Sequence, residues 1–244
     1  MIMIIGSTHD DILYFSSIMT GKREETVLEK FHVEIGQIFN QEVLLVENVF
    51  TNYMSSAVTM YLIQKYYVFL CFNVGRCLAY SKDWKLGEIA ISGRTYTGDV
   101  NQTSETDAML GQIPGCPPFF ASQEDIIGYL TESFERRTMA HIYRSTYVSS
   151  NNYYSFRKEL EDIEGNGTLF GASSRVVLDS TLGGVGFACH LLHVPFIAAK
   201  VISGHLDAKR GIDEYALSLG KYAEIGKAVV ATIGEIGRKD VLGE

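Results

Sequence analysis

Short apolar runs alternate with longer amphipathic stretches along the chain. Ile2–Ile5 is an apolar run ending in Gly6-Ser7-Thr8, the pattern of a buried strand that turns into a helix. Ser7 or Thr8 is placed to cap that helix, with Asp10 and Asp11 in its positive first turn. Residues 31–38 and 43–49 read as two strands of a hairpin or meander, separated by Asn40-Gln41, and 55–64 has helical spacing. Residues 66–72 form a continuous apolar run, which predicts a central strand covered on both faces. It leads into Asn73-Val74-Gly75, and 87–92 supplies another strand.

Residues 97–122 are largely polar and contain Gly111-Gln112-Ile113-Pro114-Gly115-Cys116-Pro117-Pro118. A loop of that length in a compact chain is usually functional or part of an interface. Further on, the pattern predicts a helix over 123–136, a strand over 141–148, a short helix over 154–161 and a strand over 175–178. A helix over 181–192, a strand over 194–202 interrupted only by Lys200, and a long amphipathic helix over 215–236 complete the reading. Strands alternating with helices predict a three-layer α/β/α sandwich around a central mixed, largely parallel sheet, in one domain spanning 1–244.

Composition narrows the function classes. The 244 residues are 46% hydrophobic and 20% charged, a globular balance. The formal net charge of -8 gives no basic footprint for nucleic acid. No apolar run approaches the roughly 20 residues of a membrane helix, and Met1-Ile2-Met3-Ile4-Ile5-Gly6 is too short and uncharged for a signal peptide. Cys71, Cys77, Cys116 and Cys189 form neither a CxxC pair nor a zinc spacing, so reduced, mostly buried thiols and a cytoplasmic setting are expected. No metal and no cofactor is expected.

Three segments carry a family resemblance. They are Ile4-Ile5-Gly6-Ser7-Thr8-His9-Asp10-Asp11, the loop Gly111-Gln112-Ile113-Pro114-Gly115-Cys116-Pro117, and His193-Val194-Pro195-Phe196-Ile197-Ala198-Ala199-Lys200-Val201-Ile202-Ser203. Phe72-Asn73-Val74-Gly75 and Leu86-Gly87-Glu88-Ile89 follow in matching order and spacing. Together they resemble the nucleoside phosphorylase/nucleosidase family, in particular its methylthioadenosine/S-adenosylhomocysteine nucleosidases. The resemblance implies a nucleoside phosphorylase-like fold, a small-molecule nucleoside as ligand, and a homodimer in which the loop over 97–118, with Pro117, closes the neighbour's pocket. Phe119-Phe120 beside that loop are expected to be buried by the partner.

The resemblance also implies a chemistry and marks where this chain departs from it. The family's water-holding glutamate corresponds to Asp11, one methylene shorter; an acid that merely favours the helix dipole is the alternative. The family's purine acid corresponds to Gly204, which has no proton to give. His205 and Asp207 stand nearby as replacements or as solvated loop residues. The ribose-gripping segment corresponds to Asp179-Ser180-Thr181, with Thr181 in place of a carboxylate; the same three residues also suit an N-cap. Gly75 and Arg76 border the site, and Arg76 with Lys200 suits a phosphate or carboxylate, or an ordinary salt bridge. Tyr147, with Val148 beside it, falls where the family stacks an aromatic on the purine, unless it packs in the core. Val49-Phe50-Thr51-Asn52 replaces the family's Gly-x-Gly-Lys helix start. The expected function is that of a diverged purine nucleosidase, with an inactive nucleoside- or partner-binding protein as the alternative and a phosphorylase behind both.

Overall fold

The computed structural model describes residues 1–80, 83–152, 175–206 and 212–242, with the side chains of 219–236 in the last helix. Strand β1 (Ile2–Ile5) is buried along its whole length and leads into α1 (His9–Ile18). A meander follows: β2 (Thr20–Val27), β3 (Phe31–Ile38) and β4 (Gln41–Val46). Then come α2 (Asn52–Tyr66), β5 (Leu70–Ala79), β6 (Ile89–Thr97), the short β7 (Phe120–Ala121) and α3 (Glu124–Arg137). The chain continues through β8 (Ile142–Ser149), β9 (Val176–Asp179), α4 (Leu182–Leu192), β10 (Phe196–His205) and α5 (Ile212–Leu242).

These strands form one mixed sheet in the order β10-β6-β8-β9-β5-β1-β4-β3-β2, with β7 paired to β6. A second pairing joins β10 to β5, so β10, β6, β8, β9 and β5 close into a small barrel from which the other strands fan out. Strand β5 lies parallel to both β1 and β10, which brings three carboxyl ends to one edge. That edge is where open α/β sheets bind ligands.

Two apolar layers cover the sheet. Ile12 and Phe15 of α1, Ile126, Leu130 and Phe134 of α3, and Ile225 and Val229 of α5 pack on one face. Val58 and Leu62 of α2 and Leu182, Val185 and Cys189 of α4 pack on the other. This is the expected α/β/α sandwich. Gly184 is what lets α4 lie against α2: a Cβ there would stand 2.1 Å from the Asn52 carbonyl oxygen.

Several elements differ from the sequence pattern. The strand expected over 66–72 starts only at Leu70, because α2 runs on through Tyr66 and stops at Tyr67, whose φ of 52° is left-handed. A short apolar run does not distinguish a buried helix end from a strand. Strand β2 was not anticipated: Thr-Gly-Lys-Arg-Glu-Glu-Thr-Val is charged and exposed along most of its length, as suits a protected sheet edge. The loop after β6 is a loop, ending in β7. Phe120 is 4% exposed within this chain's own core, and Phe119 packs on Tyr96 and Arg94. Phe120 therefore needs no partner for its burial, which corrects that expectation for Phe120, whereas Phe119 is half-buried. The helix expected over 154–161 lies outside the described residues.

Candidate active site

The carboxyl edge of β1, β5 and β10 gathers a polar cluster that is otherwise surrounded by core. Asp11, the third residue of α1, turns back so that its Oδ2 accepts from the Ser7 and Thr8 amides, each at 2.8 Å. The carboxyl group then lies against Gly75: a Cβ on Gly75 would stand 3.0 Å from Asp11 Oδ2, and Gly75 has a φ of 132°. A side chain there would press on the Asp11 carboxyl, and the backbone conformation is one that L residues rarely adopt, so glycine suits both the contact and the backbone. Asp11 Oδ1 is buried without a hydrogen-bond partner among the described residues, with the Tyr222 hydroxyl near enough to favour the ionised form. Burial dominates, and it holds the Asp11 carboxyl above the ordinary aspartate range against the Thr8 and Ser7 amides, the nearby Tyr222 hydroxyl and the Lys200 charge.

Lys200 is Gly75's register partner across β10 and β5. Its Nζ lies 2.5 Å from Asp179 Oδ2 and 2.9 Å from Thr181 Oγ1, and the Lys200 and Asp179 side chains are each 2% exposed. Asp179 Oδ2 also accepts from the Leu182 amide at 2.9 Å, so Asp179 caps the start of α4. Burial works against its ionisation, but the Lys200 ammonium, the nearby Ser149 hydroxyl and the Leu182 amide together outweigh it and keep the carboxyl below its usual range. Asp179 Oδ1 is enclosed without a hydrogen-bond partner among the described residues. Thr181 Oγ1 reaches Asn73 Oδ1 at 3.1 Å, and Asn73 Nδ2 donates to the Ile5 carbonyl at 3.2 Å. Asn73 thus ties β1, β5 and α4 together. The sequence reading missed it as a site residue, although an asparagine beside Phe72 in a buried apolar strand is a visible signal.

The expected site residues divide into two groups. Asp11, Gly75, Asp179, Thr181 and Lys200 belong to one connected cluster. Ser180 stands at its margin and donates to the Phe50 carbonyl at 2.8 Å. Arg76 is exposed, whereas Lys200 is enclosed and already paired with Asp179, so the structure does not place the two as a joint anion clamp. Tyr147 has no exposed surface, donates to the Ala90 carbonyl at 2.9 Å and packs inside the barrel with Trp84 and Val177. Of its two readings, core packing is the one its surroundings fit, since an enclosed ring offers no face for stacking. Val148 is buried in a neighbouring apolar cluster with Leu78 and Leu178. His205 ends β10 with Nε2 2.7 Å from the Trp84 carbonyl oxygen, which commits that nitrogen as a donor. Pro117 lies half-buried in the long loop, and Asp207 lies outside the described residues.

No group of three or more His, Cys, Asp or Glu side chains among the described residues is placed to hold a metal. Among the same residues no helix is long and apolar enough to cross a membrane. Chemically, the cluster offers a buried, elevated carboxyl able to take a proton from water, an ion pair beside it, and no carboxylic acid at position 204.

Comparison with known proteins agrees with this architecture. A 5′-methylthioadenosine/S-adenosylhomocysteine nucleosidase from an Exiguobacterium species is 22% identical over 214 residues, 87% of this chain and 89% of that one. The solved nucleosidase of the same kind from Neisseria meningitidis, in complex with methylthio-immucillin-A, superposes with a TM-score of 0.84 at 19% identity, covering 95% of this chain and 97% of that one. Futalosine hydrolase of Helicobacter pylori has the same fold, with a TM-score of 0.82 at 16% identity over 96% of this chain and 97% of its own. The phosphorylase superfamily's sequence profile matches residues 1–234. The chain therefore belongs to the phosphorylase superfamily.

Proposed function

We propose that this protein binds a purine nucleoside with a 5′ substituent, of the methylthioadenosine or S-adenosylhomocysteine type, and hydrolyses its N-ribosidic bond slowly. The observation that carries the reading is Asp11. It is fixed by two backbone amides through one oxygen, and it keeps the other buried beside Gly75 at the carboxyl edge of the sheet. A carboxyl raised by burial is a stronger base than an exposed one, which suits it to position and deprotonate water. The names of the relatives support the substrate class, and the likeness to futalosine hydrolase adds futalosine to the ligands to test.

Slowness follows from the departing base. Gly204 supplies no proton, and the nearby His205 has Nε2 engaged by the Trp84 carbonyl. Loss of a positioned acid costs about 10²- to 10⁴-fold. The same observation favours a second reading, a binding protein that no longer hydrolyses. Homodimerisation and a cytoplasmic location belong to the proposal too; a one-chain mass by light scattering would overturn the dimer.

Calorimetry with adenine, methylthioadenosine, S-adenosylhomocysteine, futalosine, inosine and uridine tests the ligand class. The adenine-bearing nucleosides are expected to bind more tightly than uridine. Absence of binding by every purine at millimolar concentration would overturn the nucleoside reading.

A further inference from the structure

Behind Asp179 lies a hydrogen-bonded knot that the mechanism above does not use. Asn52, the first residue of α2, is 92% buried, being 8% exposed. Its Oδ1 accepts from Ser149 Oγ at 2.8 Å and from the Gly184 amide at 3.0 Å. Its own amide donates to Asn151 Oδ1 at 2.9 Å, and Asp99 Oδ2 in turn accepts from Asn151 Nδ2 at 2.8 Å. The Asn52 side chain therefore joins α2 to the end of β8 and the start of α4, while its backbone amide links through Asn151 to the beginning of the long loop. Two donors on Oδ1 fix the orientation of the amide, and Nδ2 is left buried without a partner among the described residues.

Ser149 is also the register partner of Asp179, and its hydroxyl stands close enough to favour the Asp179 carboxylate. A serine hydroxyl has one proton. The Ser149 hydroxyl makes its close contact, 2.8 Å, with Asn52 Oδ1, and Asp179 Oδ1 has no hydrogen-bond partner within bonding geometry among the described residues. We propose that Asn52 is a positioning residue: by holding the Ser149 proton it keeps Asp179 Oδ1 open as an acceptor for a sugar hydroxyl of the ligand. Asp179 Oδ2 is already filled by Lys200 and the Leu182 amide, so Oδ1 is the oxygen left for a ligand. Besides Ser149, the groups acting on Asp179 are Lys200, the Leu182 amide, the Thr181 amide and hydroxyl, Cys77 and Tyr147; the hydrogen bonds among them are made to Oδ2.

The inference rests on the nucleoside reading, and its test separates the two. Asn52→Ala frees the Ser149 proton to cap Asp179. Methylthioadenosine affinity is expected to fall about tenfold, the scale of one hydrogen bond to a charged group. Adding Ser149→Ala to Asn52→Ala removes the cap and should restore most of the loss. Ser149→Ala alone should leave affinity near the wild-type value. A ligand lacking the 2′-hydroxyl and one lacking the 3′-hydroxyl identify the hydroxyl concerned, since the one that meets Asp179 is the one whose removal abolishes the Asn52→Ala effect. In the ligand-free protein, the ¹³C carboxyl signal of Asp179, assigned with Asp179→Asn, should move in Asn52→Ala and stay in Ser149→Ala. If methylthioadenosine binds but Asn52→Ala has no effect, or the double variant is not rescued, the inference is wrong. Should Asn52→Ala fail to fold, weakened binding in Ser149→Ala alone would overturn it, because that proton is assigned to Asn52. If no nucleoside binds while the carboxyl signals behave as stated, the nucleoside reading fails and the proton assignment stands.

Discussion

Lys200 Nζ and Asp179 Oδ2 meet at 2.5 Å with both side chains 2% exposed, so a lysine and an aspartate share one enclosed space at the end of the barrel. Removing one partner leaves an uncompensated buried charge. Lys200→Met is expected to cost about 3–5 kcal/mol of stability, read from denaturant unfolding. Combining it with Asp179→Leu should recover much of that loss, because an apolar pair of similar volume often matches a buried ion pair. Equal loss in the single and double variants would contradict this view.

The pair also sets a pH dependence. Asp179 is held below the ordinary carboxyl range in the folded chain, so its contribution is fully present above the unfolded pKa. It is lost as pH falls through the folded value. Unfolding free energy in wild type should therefore drop more steeply on acidification than in the Lys200→Met/Asp179→Leu protein. Parallel profiles would show that Asp179 is not linked to stability.

Asp11 runs the other way. Its folded carboxyl is raised by burial, so ionisation above the unfolded pKa is unfavourable to the fold and stability falls as pH rises through that window. Asp11→Asn keeps an oxygen for the Ser7 and Thr8 amides and removes the charge. The variant should melt higher than wild type at neutral pH while losing any hydrolysis, a trade common at functional sites. A lower melting temperature would mean that the charge itself holds the α1 turn.

Gly184→Ala tests the seat of the site. The added methyl would stand 2.1 Å from the Asn52 carbonyl oxygen and 2.3 Å from Ser55 Oγ. Backbone cannot yield like a flexible side-chain tip, so the cost should reach or exceed about 3 kcal/mol, the upper end for overpacking. Near-wild-type stability by calorimetric melting would place the α2–α4 contact elsewhere.

Much of the fold was legible because its determinants are local. The apolar run of β1, the glycine-rich helix Leu182–Leu192 and the 3.6-residue period of α5 each declare their state in sequence. The end of α2 was not legible, since it depends on Tyr67 adopting a left-handed backbone. Within the site, Asp11 and Asp179 could be named from order and spacing. Their different electrostatic states could not, because those come from the burial that closes around Asp11 and from Lys200 arriving beside Asp179 on a distant strand. Tyr147 shows the same limit: a tyrosine at a strand end reads alike whether it faces a ligand or the Ala90 carbonyl.

Position 204 offers a gain-of-function test. Gly204→Asp with Thr181→Glu places an acid for the purine and a carboxylate beside Asn73 and Lys200. Adenine release should rise about 10²-fold or more over wild type. An unchanged rate in a folded double variant would mean that the missing acid is not what limits the chemistry.

The most direct measurement is the rate of adenine release from methylthioadenosine by wild type and by Asp11→Asn, compared at equal folded concentration. Slow wild-type turnover, well below the roughly ten per second typical of enzymes, and none in Asp11→Asn is the expected result. Wild-type turnover at or above that typical rate, or an Asp11→Asn rate equal to wild type, would contradict the assignment of Asp11 as the water-holding base of a site without its purine acid.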